Sequence, residues 1–309
     1  MRALSTLLSL LLAVVGTGSA QQVADPSFDP RVANPAFMER HPKVLFDEAH
    51  FNYHTAVGRY KPFADLIAHD GYAVSCNHAR FSPEILAGFE LLIVSNALGA
   101  EGLAHPQAAR PAFTPAECRS VRDWVAGGGR LLLMADHAPM GAAAATLAEA
   151  LGVDMSKGYT SDGVHYDKMS GRPGWLVFSE QNGLLGDHPI IRGRNQKEQI
   201  HRITTFLGQS LKGPPGSVAF LKLSDSAVDG IPPDGRPVLA AGRSQGIAFR
   251  HAKGRVVVMG EAAVLSAQLT SPRRTPVGMN YPGSDNRQLA LNIVHWLSGL
   301  LDEQPSGRP

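Results

Sequence analysis

Cysteine is scarce in this chain, and so is any excess of charge of one sign. Its 309 residues include two cysteines, Cys76 and Cys118, with 29 basic and 27 acidic residues. Such a balance leaves no basic stripe, so nucleic acid is excluded as an expected partner. The separation of the two cysteines cannot be read from sequence, so a disulfide and two free thiols both stay open.

Long apolar runs are also absent beyond the amino terminus. The run at 7–15 follows Arg2 and precedes small residues at 18–20, a pattern typical of a cleaved secretory signal. The run is too short to span a bilayer comfortably, although an uncleaved anchor is the alternative. No cysteine lies at the expected cleavage site, so we do not expect a lipoprotein. We expect residues 1–20 to be removed and the mature chain, beginning near Gln21, to be periplasmic or secreted without a stable membrane span.

The mature chain alternates predicted strands and helices after an extended, aperiodic arm at 21–42. Apolar runs predict strands at 43–48, 72–76, 90–97 and 130–137. Helical spacing and caps predict helices at 59–71, 82–89, 114–129 and 140–152. This alternation favours the α/β class, a three-layer αβα sandwich with a mostly parallel sheet covered on both faces.

The alternation breaks down after residue 152. Residues 153–200 predict an insertion with one short strand at 175–180. Further strands are predicted at 216–223 and 236–243, then a β-hairpin at 245–262 and a final helix at 284–301. We therefore expect one domain over 43–301 and a disordered tail at 302–309.

Polar side chains follow four of the predicted strands at the point where each strand ends. They are Asp47, Glu48, His50, Asn52 and His54 after the first strand, Ser95 and Asn96 after the third, Asp136 and His137 after the fourth, and Glu261 after the hairpin. Ligands of open parallel sheets bind beyond the carboxyl ends of the strands. Burying a lone carboxylate costs several kcal/mol, so we expect these acids and histidines to cluster.

The chemistry of this cluster suggests roles for its members. Carboxylates and histidines supply acids and bases, so the predicted catalytic residues are Asp47, His50, Asp136, His137 and Glu261. The predicted substrate-binding residues are Glu48, Asn52 and Asn96. Each acid also has a local alternative, because Asp47 can cap a turn, Asp136 can cap the following helix and Glu261 can face a helix dipole.

The twelve histidines raise the question of a metal. His50 and His54 are four residues apart and share a face if their segment is helical. Together with Asp136 they form a candidate site for a divalent metal such as zinc, with a bound water as nucleophile. Such pairs are also common by chance, so a site without metal stays open.

Seven stretches spread over about 43–300 carry a family resemblance. They are VLFDEAHFNYHT, RYKPFADLI, LLLMADHAPM, DHPIIRGR, FLGQSL, GEAAVLSAQ and NRQLALNIVHWLSG. The chain resembles a poorly characterised group of exported bacterial proteins in the class I glutamine-amidotransferase-like superfamily, and DHPIIRGR resembles a turn of its trehalose-utilisation-like branch. The resemblance implies a flavodoxin-like sandwich and says little about activity.

One departure from the superfamily limits the activity. Its glutaminase members carry a cysteine at the sharp turn after a central strand, where this chain has Ala135, Asp136 and His137. Without a thiolate nucleophile there, we do not expect cysteine-dependent glutamine hydrolysis.

Three functions remain open. The first is an exported hydrolase of sugar derivatives, amides or esters. The second is a non-catalytic module that binds carbohydrate or another small ligand, because the chain also offers aromatic side chains for such a cleft. These are Phe51, Tyr53, Tyr159, Tyr166 and Trp175. The third, a scaffold, is the weakest, because a scaffold does not need acids and histidines gathered at one sheet edge.

Overall fold

A computed structural model describes residues 22–302 of the chain. The predicted signal at 1–20 and the tail beyond Asp302 lie outside these residues. The helices are α1 (Lys61–His69), α2 (Pro83–Leu86), α3 (Pro115–Ala126), α4 (Met140–Ala150), α5 (Pro189–Arg192) and α6 (Asn286–Leu297), with short 3₁₀ turns at Gln196–Glu198 and Ala263–Leu265.

Seventeen strands are present among these residues. They are β1 (Gln22–Ala24), β2 (Lys43–Asp47), β3 (Ala73–Asn77), β4 (Leu91–Ser95), β5 (Arg130–Met134), β6 (Asp154–Met155), β7 (Tyr159–Asp162), β8 (Val177–Ser179), β9 (Arg202–Thr204), β10 (Leu211–Lys212), β11 (Val218–Lys222), β12 (Ala227–Ile231), β13 (Arg236–Leu239), β14 (Ser244–His251), β15 (Gly254–Met259), β16 (Ala267–Thr270) and β17 (Thr275–Gly278).

The largest sheet has nine strands in the order β3-β2-β4-β5-β15-β14-β10-β6, with β11 also paired to β14. The first five strands of this order are mutually parallel, whereas β14, β10, β6 and β11 pair antiparallel. The predicted mixed α/β architecture is confirmed. The sheet is less parallel than predicted, because the tight β14–β15 hairpin forces its two strands to run antiparallel.

Helices cover both faces of the parallel strands, because side chains along each strand alternate between the faces. Phe46 of β2 packs in one core cluster with residues of α1 and α6. Its neighbour Leu45 packs in a second cluster with residues of α3 and α4. Strands buried on both faces explain the near-continuous apolar runs in the sequence.

The start of α3 confirms a capping box predicted from the sequence. The Thr114 side chain accepts from the backbone N–H of Glu117, and the Glu117 side chain accepts from the backbone N–H of Thr114. Pro115 occupies the first turn, where its missing N–H costs nothing.

The amino-terminal arm is held on the domain by a strand pairing and by side-chain hydrogen bonds. Strand β1 pairs with β16. Further along, the Ala36 N–H donates to Asp70 Oδ1 at 2.9 Å, and Asp70 Oδ2 lies 2.6 Å from His295 Nε2. His295 therefore has the structural role expected of a histidine in the core face of α6.

The segment predicted as an insertion does not stand apart from the rest. Strand β6 extends the main sheet, β7 pairs with β12, and β8 pairs with β9. The single-domain organisation over 43–301 stays a prediction. Within residues 22–302, no helix has the length and apolarity needed to cross a membrane. Both thiols are free, with Cys76 exposed on β3 and Cys118 buried on α3.

Candidate functional site

The polar residues at the carboxyl edge of the sheet form two clusters. Strand β4 lies between β2 and β5, and neighbouring strands are about 4.8 Å apart, so groups at the ends of β2 and β5 start about 10 Å apart. We call the first group the Asp47 cluster, comprising Asp47, His50, Asn52, Asn77 and Glu117. We call the second the Glu261 cluster, comprising His54, Asn96, Asp136, Gln209 and Glu261.

His50 is held between two carboxylates in the Asp47 cluster. Its Nδ1 lies 2.8 Å from Asp47 Oδ2, and its Nε2 lies 2.8 Å from Glu117 Oε1. Because carboxylates only accept, both ring nitrogens donate and the ring is an imidazolium. Phe81 and Phe113 flank the ring with centroids 4.7 and 4.6 Å away.

The remaining acceptor positions of the two carboxylates are also occupied. Asp47 accepts from the side-chain amides of Asn52 and Asn77 at 3.1 and 3.2 Å. Glu117 accepts from the Thr114 hydroxyl at 2.7 Å and from Arg80 at 3.3 Å. Every member of this cluster is therefore bonded within the protein.

The imidazolium of His50 offsets one of the two carboxylates of the Asp47 cluster, and Arg80 lies beside the other, Glu117. Burial lowers the pKa of His50, but its hydrogen bonds to Asp47 and Glu117 outweigh burial and raise it above the ordinary value. Burial raises the pKa of Glu117, while His50 and Thr114 bring it down to about 2. The cluster ties β2 to the start of α3, and its geometry is that of a structural ion pair.

Asp136 and Asn96 bind each other reciprocally in the Glu261 cluster. The Asn96 side-chain amide donates to Asp136 Oδ2 at 2.9 Å, and the Asp136 backbone N–H donates to Asn96 Oδ1 at 2.8 Å. Asp136 Oδ1 accepts from the Ala262 N–H at 2.9 Å. Asn96 has a φ of 47°, a left-handed conformation that asparagine tolerates better than most residues. These bonds join the ends of β4, β5 and β15.

Glu261 lies beside Asp136 and caps the following 3₁₀ turn. Its two carboxylate oxygens accept from Ala263 N at 2.7 Å and Val264 N at 2.8 Å. Burial, followed by the charge of Asp136, raises the pKa of Glu261 well above its ordinary value. Burial also raises the pKa of Asp136, against the effect of His137. Two carboxyls in one buried site cannot both ionise cheaply, so each raises the cost of ionising the other.

His54 belongs to the same cluster but is neutral. Its Nδ1 lies 3.2 Å from the Ser95 hydroxyl and 3.3 Å from the Asn96 side-chain nitrogen. Its ring stacks on Tyr60 with centroids 4.7 Å apart. Burial, and then the charge of Arg59, lowers the pKa of His54 to about 3. His54 therefore supplies no proton near neutral pH.

His137 is the half-buried member of the turn after β5. Its Nδ1 lies 2.7 Å from Ala138 O, and its ring stacks on Tyr159 with centroids 4.5 Å apart. Gln209 supports this turn from below by donating to Ala135 O at 2.9 Å and Asp136 O at 3.0 Å. The chain's two cysteines lie elsewhere, so no thiol stands at this turn.

A cleft of about 440 Å³ opens beside the Asp47 cluster at the carboxyl ends of β2 and β4. We call it the carboxyl-edge cleft. Its lining residues are Glu48, Phe51, Asn52, Tyr53, Arg59, Leu98, Glu101 and Gly102. It presents one arginine, two glutamates and two aromatic rings, a composition suited to a small polar ligand.

Two side chains shape this cleft. Arg59 stacks over the Tyr53 ring at 4.0 Å and donates Nε to Gln22 O at 3.0 Å. Phe51 is 54% exposed and has a φ of 47°. An exposed aromatic residue in a left-handed conformation is uncommon, and such positions concentrate at ligand sites.

The residues proposed from sequence for a metal do not converge. Both ring nitrogens of His50 are occupied by carboxylates, whereas His54 Nδ1 and Asp136 Oδ2 both contact the side-chain nitrogen of Asn96. The described part of the chain has no group of three or more His, Cys, Asp or Glu side chains placed to hold a metal ion. The set His50, His54 and Asp136 is thus not formed.

The structure regroups the other predicted residues. It places Asp136, Glu261 and Asn96 together and Asp47 with His50 elsewhere, while Glu48 and Asn52 line the cleft. Among the predicted aromatic residues, Phe51 and Tyr53 line the cleft, Tyr159 lies on His137, Tyr166 lines a different cleft and Trp175 is buried against Phe206.

Sequence reasoning missed three members of the clusters, Asn77, Glu117 and Gln209, and gave no signal for Asn77, which donates to Asp47. Glu117 was recognised only as part of a helix cap, although it also binds His50. Gln209 appeared only within the FLGQSL stretch. Its neighbour Gly208 offered a signal, because a Cβ there would come within 2.6 Å of the Glu261 Cβ. A glycine at such a close approach marks the packing of this segment against Glu261.

Comparison with known proteins identifies the fold. No protein-family model and no curated protein sequence matches the chain. The solved N-terminal domain of mmIFT52 is similar, with a TM-score of 0.58 and 16% identity, covering 82% of this chain and 97% of that one. At this identity the likeness shows a shared fold alone.

Two further neighbours are more distant. A ThuA-like protein from Bacteroides uniformis has a TM-score of 0.45 and 16% identity, covering 89% of this chain and 98% of that one. A ThuA-like protein from Parabacteroides merdae has a TM-score of 0.43 and 11% identity, covering 87% and 95%. Similarities at this level support no statement about function.

Proposed function

We propose that this protein binds a small neutral polyhydroxyl ligand, such as a sugar, in the carboxyl-edge cleft. One contrast carries the proposal. The candidate catalytic acids Asp47 and Glu261 are buried and bonded within the protein, whereas the neighbouring cleft offers uncommitted polar groups. Buried acids with all their acceptors occupied are structural supports, and open polar groups beside an exposed ring are what a ligand contacts.

The polar groups of the cleft match a ligand rich in hydroxyls. Glu48 uses Oε1 to accept from Ala56 N at 2.8 Å, and its carboxylate also lies within reach of the Cys76 thiol. A carboxylate has several acceptor positions, so Glu48 can still accept from a ligand. Arg59 donates Nε to Gln22 O and one terminal nitrogen to Tyr53 O, which leaves its other terminal nitrogen uncommitted among the described residues. A sugar hydroxyl both donates to carboxylates and accepts from guanidinium.

The aromatic residue completes this match. Phe51 offers an exposed ring at the cleft, onto which the apolar face of a sugar ring can stack. Opposite charges inside the cleft, from Arg59 and from Glu48 with Glu101, favour a neutral ligand over a strongly charged one.

Equilibrium titration tests the proposal. Neutral mono- and disaccharides and acyclic polyols are titrated into the chain by isothermal calorimetry, and Phe51→Ala is compared with Met38→Ala. Met38 is 78% exposed and does not line the cleft, so it is a matched loss of exposed apolar surface. We expect at least one sugar to bind. Phe51→Ala should reduce the affinity for that sugar about tenfold, and Met38→Ala should leave the affinity unchanged. No binding by any panel member, or equal binding by Phe51→Ala, contradicts the proposal.

A hydrolase is the second candidate, and the Asp136–Glu261 pair favours it. A buried carboxyl pair with raised pKa values can supply a general acid, and half-buried His137 is next to Asp136 in the chain. Its test is turnover of chromogenic glycosides, esters and anilides. Loss of any such turnover in Glu261→Gln supports this reaction, and unchanged turnover rules out the pair.

Two broader proposals accompany the function. The seven sequence stretches support membership of the class I glutamine-amidotransferase-like superfamily, with its flavodoxin-like sandwich and without a cysteine nucleophile. The pattern of residues 1–20 supports export to the periplasm or beyond, which would bring the cleft into contact with extracytoplasmic sugars. Amino-terminal sequencing of the protein from its native host tests export, with a mature end near Gln21 expected and an intact Met1 contradicting it.

A further inference from the structure

The DHPIIRGR stretch at 187–194 belongs to neither cluster at the carboxyl edge. It forms the start of α5 and packs against α6. It also borders the end of β14, next to Arg255 at the amino end of β15. Glu261 follows the opposite end of β15, so this stretch lies at the other edge of the parallel strands from the carboxyl-edge cleft.

A second cleft of about 410 Å³ opens here, which we call the His188 cleft. Its polar lining includes His188, Arg192 and Arg250, and its apolar lining includes Val218, Phe249 and Trp296. The volume is that of a small-molecule site. Apolar walls beside two arginines suit a ligand that has an anionic head and an apolar body.

His188 supplies an unpartnered donor in this cleft. The side chain is 6% exposed, and its Nδ1 accepts from the backbone N–H of Ile190 at 3.2 Å. The proton of the neutral ring therefore sits on Nε2. Nε2 has no hydrogen-bond partner among residues 22–302. Nε2 is not among the fully enclosed, unpaired atoms of the described residues, so it is accessible from the cleft, where a ligand acceptor can bond to it.

The ring of His188 is fixed and neutral. It meets Trp296 edge-on with centroids 5.0 Å apart. Burial, and then the charge of Arg192, lowers the pKa of His188 to about 4. At neutral pH the ring therefore donates a single hydrogen bond and carries no charge of its own.

The arginines around the cleft outnumber their acidic partners. Arg192 pairs with Asp187, while Arg250 and Arg255 share Asp302. Among residues 22–302, these three cations and two carboxylates leave one positive charge at the cleft. The side chains of Arg192 and Arg250 are 48% and 60% exposed, so both can reorient toward a ligand.

We propose that the His188 cleft binds a small amphipathic anion. The anionic head, a carboxylate or a phosphate monoester, accepts from His188 Nε2 and from both Arg192 and Arg250. The apolar body lies against Val218, Phe249 and Trp296. This site is separate from the carboxyl-edge cleft, so its test does not depend on the sugar-binding proposal.

Calorimetric titration with three probes of equal chain length tests the site. Hexanoate and hexyl phosphate distinguish the two anionic heads, and hexan-1-ol is the neutral control. We expect at least one anion to bind at least tenfold more tightly than hexan-1-ol. Failure of both anions to bind, or equal binding of hexan-1-ol, overturns the proposal.

Two substitutions place the binding in this cleft. His188→Asn keeps an acceptor for the Ile190 N–H and removes the Nε2 donor, and Arg250→Gln removes a cation from an exposed position. Each substitution is expected to reduce the affinity for the anion at least fivefold. Arg236→Gln, at an exposed position on β13, is expected to leave this affinity unchanged. Unchanged affinity in Arg250→Gln overturns the proposal even if His188→Asn does not fold. Retained affinity in a folded His188→Asn also overturns it.

Discussion

His50 and Glu117 are 67 residues apart in sequence, and their side chains meet at 2.8 Å between Nε2 and Oε1. The bond joins the loop after β2 to the first turn of α3. It uses a carboxylate that also completes the capping box of that helix. A single buried glutamate thus fixes a helix start and one wall of the carboxyl edge.

Replacing Glu117 by glutamine is expected to destabilise the fold by about 2 kcal/mol. Breaking a buried pair costs roughly 3–5 kcal/mol, and here Asp47 still pairs with His50. Urea denaturation at pH 7 measures the change. Glu149→Gln, at an exposed pair with Lys157, is the control and should cost less than about 0.5 kcal/mol. Equal effects of the two substitutions would show that the His50 contact contributes nothing.

Glu117→Gln is also expected to make the free energy of unfolding less dependent on pH in the acid range. The folded pKa of Glu117, about 2, lies below its ordinary value of 4.5. A depressed carboxyl pKa stabilises the fold above the unfolded value, and this stabilisation is lost as pH falls from 4.5 toward 2. Glu117→Gln should therefore lose less stability than the parent over this window. Parallel curves for the two proteins would contradict the assignment.

Replacing Glu261 by glutamine is expected to change the pH dependence of the free energy of unfolding at higher pH, above about 4.5. Burial and Asp136 raise the pKa of Glu261, so its stabilising contribution is present below about 4.5 and is lost as pH rises toward the folded pKa. The loss in the parent can reach about 1.4 kcal/mol per pH unit for one proton. Denaturation curves are measured from pH 5 to 9. The free energy of unfolding of Glu261→Gln should increase relative to that of the parent as pH rises. A constant difference between the two proteins over this range would contradict the raised pKa of Glu261.

Thiol labelling is expected to separate the two cysteines. Cys76 is exposed and Cys118 is buried, so an aromatic disulfide reagent should label one thiol in the native protein and two after unfolding. Cys76→Ser should abolish native labelling, while Cys118→Ser should preserve it. Burial and Glu48 raise the pKa of Cys76, so Glu48→Gln should speed labelling at pH 7.5. Absence of any free thiol in the native protein would indicate the disulfide instead.

Local signals in the sequence predicted much of the fold. The cap formed by Thr114 and Glu117, the apolar run of β2 and the turn between β14 and β15 depend on neighbours within a few residues. Such features are readable because capping, periodicity and turn chemistry act locally. The strands β16 and β17 were missed, because their pairing with each other and with β1 depends on contacts across the chain.

The site was predictable only in part, for a reason of strand order. The sequence placed Asp47, Asp136 and Glu261 at one edge, and each lies at the carboxyl end of a strand of the main sheet. Strand order decides which of them touch. Neighbouring β5 and β15 bring Asp136 to Glu261, whereas β4 separates both from Asp47. Sequence alone indicated the edge but not this order, so it merged two clusters into one.

One measurement tests the central claim most directly: the affinity of the tightest-binding sugar of the panel for Phe51→Ala and for Glu261→Gln, each against the parent protein. The account predicts that Phe51→Ala weakens the sugar about tenfold, because it removes the stacking ring. It predicts that Glu261→Gln binds like the parent, because its carboxylate caps a buried turn. Lost affinity in Glu261→Gln with unchanged affinity in Phe51→Ala would contradict the account and place the ligand at the Glu261 cluster.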